Sequence, residues 1–64
     1  MKFSIPDMSC SHCQATVERT IIDIDSRADV VVDLTHRTVE VTSTAVAEAI
    51  LAALAAEGFP AKLV

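Results

Sequence analysis

The stretch Ala28-Asp29-Val30-Val31-Val32-Asp33-Leu34-Thr35-His36-Arg37-Thr38-Val39-Glu40-Val41-Thr42 decides the fold. Ala28, Val30, Val32 and Leu34 fall on one side of an alternating pattern and Asp29 and Asp33 on the other, with Val31 on the polar side. After the short polar interruption Thr35-His36-Arg37, residues Thr38 to Thr42 alternate strictly. A period of two in both runs, joined by so few residues, predicts a β-hairpin even though no Asn-Gly pair marks its turn. Alternation on one side also predicts a sheet with one face covered and the other in water.

Upstream of the hairpin, Lys2 to Ile5 alternates with Phe3 and Ile5 on one face, and Pro6-Asp7 breaks the pattern, so a short first strand ends in a loop. Ser11 followed three residues later by Gln14 has the form of a capping box and predicts a helix from about His12. Val17, Ile21 and Ile24 then recur at helical spacing, with fraying expected near Ile22 or Asp23 and a turn at Asp25-Ser26-Arg27. Downstream, Ser43-Thr44 offers an N-cap for an alanine-rich helix whose inner seam is Val46, Ile50 and Leu54. Gly58, the only glycine, stands where a helix end favours a left-handed residue. Phe59-Pro60 makes the return, and Ala61 to Val64 reads as a last strand.

Strand, helix, strand, strand, helix, strand, with right-handed crossovers, predicts an α+β two-layer sandwich: a ferredoxin-like βαββαβ fold with a four-stranded antiparallel sheet and two helices on one face. Traced in direction, the first strand leads up to Met8-Ser9-Cys10-Ser11-His12-Cys13, and the hairpin tip at His36 and the Gly58-Phe59-Pro60 turn emerge at the same end. Three loops are thus expected around the two cysteines.

Composition narrows the function. A 64-residue chain is one small domain, here 1–64, near the size at which a single core suffices. A net charge of −4, five scattered Lys and Arg, no Trp or Tyr and two Phe oppose phosphate binding and base stacking, so no nucleic-acid partner is expected. Met1 leads straight into Lys2-Phe3-Ser4-Ile5 without a signal-peptide pattern, and no apolar run is long enough to span a bilayer. A free-standing cytoplasmic protein without membrane insertion is the expectation. In a reducing compartment, a Cys-x-x-Cys pair points to metal or dithiol chemistry in preference to a structural disulfide.

At a helix start, unpaired backbone N–H groups and the positive end of the helix dipole favour a thiolate at Cys13 and, beside it, at Cys10. Two converging thiolates select soft ions, Cu(I) foremost. Zn(II) would need four ligands and would have to recruit His12, His36, Asp7 or water. Met8 is read as a core plug that anchors the loop in preference to a third ligand, and Phe59 either shields the ion or fills the core edge. A dithiol oxidoreductase is the rival from another class, opposed by chain length, by the missing Trp-Cys and Pro context, and by the hairpin.

Met8-x-Cys10-x-x-Cys13 between a first strand and a first helix, with Val17, the Val32-Asp33-Leu34 strand end, Val39-Glu40-Val41 and Gly58-Phe59, resembles the heavy-metal-associated domain family, over nearly the whole chain. It looks most like bacterial CopZ-type copper chaperones and the related N-terminal domains of metal-transporting P-type ATPases. Asp7 departs from the glycine that often precedes the motif methionine, and Ser26-Arg27 from a common Gly-Val. The resemblance implies a copper chaperone, not an enzyme, in which Cys10 and Cys13 hold Cu(I) and His12 or His36 is a candidate additional ligand. Met8, Ser11 and Phe59 support the site. It also implies transfer to a Cys-x-x-Cys site on a P-type ATPase or metal-responsive regulator, with the chain a monomer or a metal-bridged dimer. Zn(II), Cd(II), Hg(II) and Ag(I) are the alternative cargoes.

Overall fold

The computed structural model describes residues 1–64. Its elements are β1 (Lys2–Ser4), α1 (Ser11–Ile24), β2 (Asp29–Asp33), β3 (Thr38–Thr42), α2 (Ala47–Ala56) and β4 (Lys62–Leu63). The four strands form one antiparallel sheet in the order β2-β3-β1-β4, the ferredoxin-like arrangement expected from the sequence. Register follows from burial. Val32 pairs with Val39, Val39 with Phe3 and Phe3 with Leu63, so one apolar row crosses all four strands, fully buried at Val39 and Phe3 and open to solvent at Leu63 on the edge. A slip of one residue in any strand would turn that row to solvent.

Nine fully buried side chains make the core: Phe3, Ile5, Met8, Val17, Ile21, Val39, Val41, Ile50 and Leu54. On α1, Cys13, Val17 and Ile21 form a single stripe at intervals of four, with Cys13 half-buried at its upper end. Ile24, expected on that stripe, is 38% exposed and lies outside the buried core. The helix does not fray at Ile22 or Asp23 but continues to Ile24. Asp25 holds its exit: its N–H donates to the Ile21 carbonyl, and its carboxylate accepts from the Arg27 N–H at 3.0 Å and the Ser43 hydroxyl at 2.7 Å.

That use of Ser43 changes the start of α2. Ser43 Oγ also accepts from the Ala45 N–H at 3.0 Å, so the hydroxyl closes a turn and does not cap the helix. The N-cap is Val46, with no side-chain hydrogen bond and 65% exposure, so Val46 lies outside the inner seam, which is carried by Ile50 and Leu54 with Ala47 and Leu51 alongside. The Ser43 hydroxyl, followed by the Arg27 N–H, holds the Asp25 carboxyl below its ordinary value. A depressed carboxyl pKa stabilises the fold above the unfolded-state value, about 3.9, and that contribution disappears as pH falls through the folded-state value. Ser43→Ala should therefore raise the Asp25 pKa and shrink the acid-side loss of stability, read by carboxyl NMR titration and urea midpoints below pH 5.

The C-terminus of α2 closes as the sequence predicts. Gly58 has φ +86°, its N–H donates to the Ala55 carbonyl at 3.0 Å, and the Phe59 N–H donates to the Leu54 carbonyl at 2.8 Å. These two bonds define a Schellman motif, completed by Phe59 and Leu54 in the same apolar cluster. No atom lies near the place a Gly58 Cβ would occupy, so only backbone strain opposes a side chain there. Gly58→Ala should cost about 1 kcal/mol, measured as a lowered urea midpoint with unchanged slope.

Strand ends are shorter than the alternation suggests. β1 stops at Ser4, β2 spans Asp29–Asp33 without Ala28 and Leu34, and β4 is Lys62–Leu63. Single bonds continue the pairing beyond them: the Ile5 N–H to the Arg37 carbonyl at 2.8 Å and the Val64 N–H to the Lys2 carbonyl at 2.8 Å. The hairpin turns without glycine because Arg37 takes the left-handed conformation, φ 54°, at a cost of roughly 1–2 kcal/mol for a residue with a Cβ.

Candidate metal centre

Cys10 and Cys13 sit where β1 has delivered the chain to the start of α1. Ile5 and Met8 are both fully buried, and the Met8 N–H donates to the Ile5 carbonyl at 3.0 Å, so the intervening Pro6-Asp7 forms an exposed turn pinned at both ends. Met8 is thus the core plug the sequence suggests, its side chain enclosed with Phe3, Val17 and Leu54 in one cluster. Phe59 is half-buried and packs against the same cluster from the α2 turn. The hairpin tip is tied to the loop before the cysteines by the Arg37 guanidinium, which donates from Nη1 to the Pro6 carbonyl at 2.9 Å.

The helix begins one residue earlier than the capping-box reading placed it, and Ser11 is not its cap. Cys10 occupies the N-cap position with extended backbone, and its Sγ accepts from the Cys13 N–H at 3.2 Å. Gln14 does not reach back: its backbone N–H donates to the Cys10 carbonyl and its side-chain amide to Glu18 Oε1. A sulfur at the N-cap does the work of a serine oxygen because the chain already presents it to the N–H of the third helical residue. Ser11, displaced into the first turn, is exposed. Ser11 is the better cap by residue type, yet the Cys10 sulfur holds the position.

Electrostatics follow from that geometry. The two sulfurs lie 2.6 Å apart, both free, Cys10 exposed and Cys13 half-buried. Interaction with the Cys13 side chain, then with the Cys13 N–H, lowers the Cys10 pKa; burial opposes them, and the His12 N–H adds a still smaller lowering. The neighbouring thiol first, and the N–H groups of the helix start second, thus favour a thiolate at Cys10, the residue just outside the helix. No acidic side chain in the first turn competes for this positive end.

The histidines do not join the pair. No group of three or more His, Cys, Asp or Glu side chains is placed to hold a metal ion anywhere in the chain. His12 is exposed on the first turn of α1. His36 turns to its own hairpin, with Nδ1 2.7 Å from Asp33 Oδ2 and its N–H donating to Asp33 Oδ1 at 3.2 Å. The imidazole and that N–H hold the Asp33 carboxyl below its ordinary value. The two sulfurs thus lie together at the protein surface, with no third side chain of these types placed beside them.

Residues 2–60 match the profile of the heavy-metal-associated domain family. The chain belongs to that family. Among solved structures, this heavy-metal-associated domain is similar to a gold binding protein, with 44% identity over 97% of this chain and 95% of that one and a TM-score of 0.94. It is also similar to the copper chaperone Atx1 from Synechocystis PCC6803, at 29% identity over 97% and 98% of the two chains and a TM-score of 0.93. Oxidized MerP from Ralstonia metallidurans CH34 is 26% identical over 95% and 89%, with a TM-score of 0.81. No curated protein sequence matches the chain significantly. No helix of this heavy-metal-associated domain is long and apolar enough to cross a membrane.

Proposed function

We propose that this heavy-metal-associated domain is a cytoplasmic metallochaperone that binds Cu(I) between the Cys10 and Cys13 thiolates and passes it on by ligand exchange. The observation that carries the reading is a pair of adjacent sulfurs at a helix N-terminus, Cys10 exposed and Cys13 half-buried, with no third ligand at hand. Two thiolates satisfy a soft monovalent ion, whereas Zn(II) in a closed site takes four ligands. The likeness to a copper chaperone supports the same reading. The protein carries its cargo and performs no catalysis.

Exposure of Cys10 is what makes the cargo transferable. A partner thiolate adds to the ion from the solvent side to give a three-coordinate species, Cys10 or Cys13 departs, and the ion is never free. A partner with its own Cys-x-x-Cys pair, such as the metal-binding domain of a P-type ATPase or a metal-responsive regulator, can complete both exchanges.

The likeness to a gold binding protein favours a second reading, a carrier for a different soft ion held by the same two sulfurs. Competitive titration of the reduced protein with Cu(I), Au(I) and Zn(II) against chelators of known affinity distinguishes them. One Cu(I) per chain, held far more tightly than Zn(II) and ahead of Au(I), is the expected result; tighter Zn(II) overturns the reading, and tighter Au(I) replaces it with the second. In the same assay His12→Ala should leave Cu(I) affinity within about threefold from pH 5 to 8, because outer groups that do orient a ligand cost 10–100-fold when lost.

A further inference from the structure

The hairpin reaches the metal loop through a single residue. Arg37 holds φ 54°, the only side-chain-bearing residue of the protein with positive φ. Glycine or asparagine would occupy that position with less strain. What arginine adds is its side chain: Nη1 donates to the Pro6 carbonyl at 2.9 Å across 31 positions of sequence, while the Arg37 carbonyl accepts from the Ile5 N–H at 2.8 Å. Two consecutive residues of the turn before the cysteines are therefore held by one residue of the hairpin.

The turn from Ile5 to Met8 is held from below by the burial of those two side chains and from above by Arg37. Only Ser9 then separates Met8 from Cys10, whose sulfur must arrive over the first N–H groups of α1 to face Cys13. Pro6 is exposed, so water can replace the guanidinium on its carbonyl and the bond adds little to global stability. It acts instead on where the turn sits. A ligand held in its bound arrangement before the ion arrives binds more tightly than one that must be ordered on binding.

We infer that Arg37 is a positioning residue of the metal site, its guanidinium fixing the Ile5–Met8 turn so that Cys10 is delivered onto the N-terminus of α1 opposite Cys13. The inference rests on the Cu(I) reading above and adds to it a residue from a different loop. Arg37 touches neither sulfur; it works through the Pro6 carbonyl and the backbone that follows.

Arg37→Asn tests this, because asparagine tolerates the left-handed backbone and retains the carbonyl bond to Ile5 but cannot reach Pro6. Expected are a Cu(I) affinity lower by about 10-fold, within the range for outer groups that orient a metal ligand, and an apo urea midpoint unchanged or slightly raised. Amide hydrogen exchange should quicken at Met8 and Cys13 and stay the same at Ile21 and Leu54. Arg37→Lys, which restores a donor, should recover most of the affinity. Affinity within twofold of wild type in Arg37→Asn overturns the inference while leaving the chaperone reading intact. A loss of affinity matched by lower apo stability and faster exchange throughout overturns it too, since the role is then global. A wild-type protein that fails to bind Cu(I) overturns the proposed function, and the inference with it.

Discussion

Cys10→Ser and Cys13→Ser should each lower Cu(I) affinity by more than about 100-fold, exceeding the 10–100-fold typical of outer groups because a ligand itself is lost. With two sulfurs and no third candidate nearby, removal of either leaves a single soft ligand on an exposed surface. The fold should survive both changes, since neither sulfur belongs to the nine-residue core. The two variants should still differ in one respect. At position 10 a serine oxygen can take over the N-cap bond from the Cys13 N–H, so Cys10→Ser keeps or slightly raises the apo urea midpoint. Cys13, half-buried against the core, is the more costly of the two to make polar. Chelator competition and urea unfolding on the same samples check both statements. Retention of tight binding by Cys10→Ser would show that the ion is held elsewhere.

Met8→Ala should destabilise the domain by about 2–5 kcal/mol, the usual range for truncating a fully buried methionine. A domain of this size commands only about 3–10 kcal/mol in total, so the variant stands close to unfolding at 37 °C. The cause is the cavity left among Phe3, Val17, Leu54 and their neighbours, together with release of the loop that Met8 anchors. Met8→Leu preserves the volume and should cost less than about 1.5 kcal/mol. It also separates packing from ligation: the Met8 side chain is fully enclosed, so Met8→Leu should leave Cu(I) affinity within a few-fold of wild type. A drop of 10-fold or more in the leucine variant would make the Met8 sulfur a ligand and contradict the enclosed position seen here.

Much of the architecture was legible because apolar period maps directly onto element type. Val30 and Val32 against Asp29 and Asp33, and Val39 and Val41 against Thr38, Glu40 and Thr42, have one consistent folding solution, a hairpin laid on helices. Gly58 was legible because a lone glycine after an alanine-rich helix has a conformational reason to be there. The capping positions were not. Ser11 and Ser43 both look like helix starters, yet Cys10 and Val46 stand at the two N-caps. A cap is chosen by where the rest of the fold delivers the chain, and in each case a residue pinned elsewhere, Met8 in the core or Ser43 on Asp25, sets that point.

The sequence by itself determined the element order, the buried faces of both central strands, the α2 stop and the placement of the two cysteines at the start of α1, because each is written in local spacing of residue types. Tertiary structure alone decided which sulfur meets the helix N–H groups, that His36 is occupied by Asp33, and that Arg37 reaches Pro6. The Arg37 contact joins groups more than thirty positions apart, and no local pattern encodes a hydrogen bond between a guanidinium and a backbone carbonyl. The Cys10 and His36 contacts span only three positions, but rotamer and backbone direction choose their partners, and both are set by the packing of the whole domain.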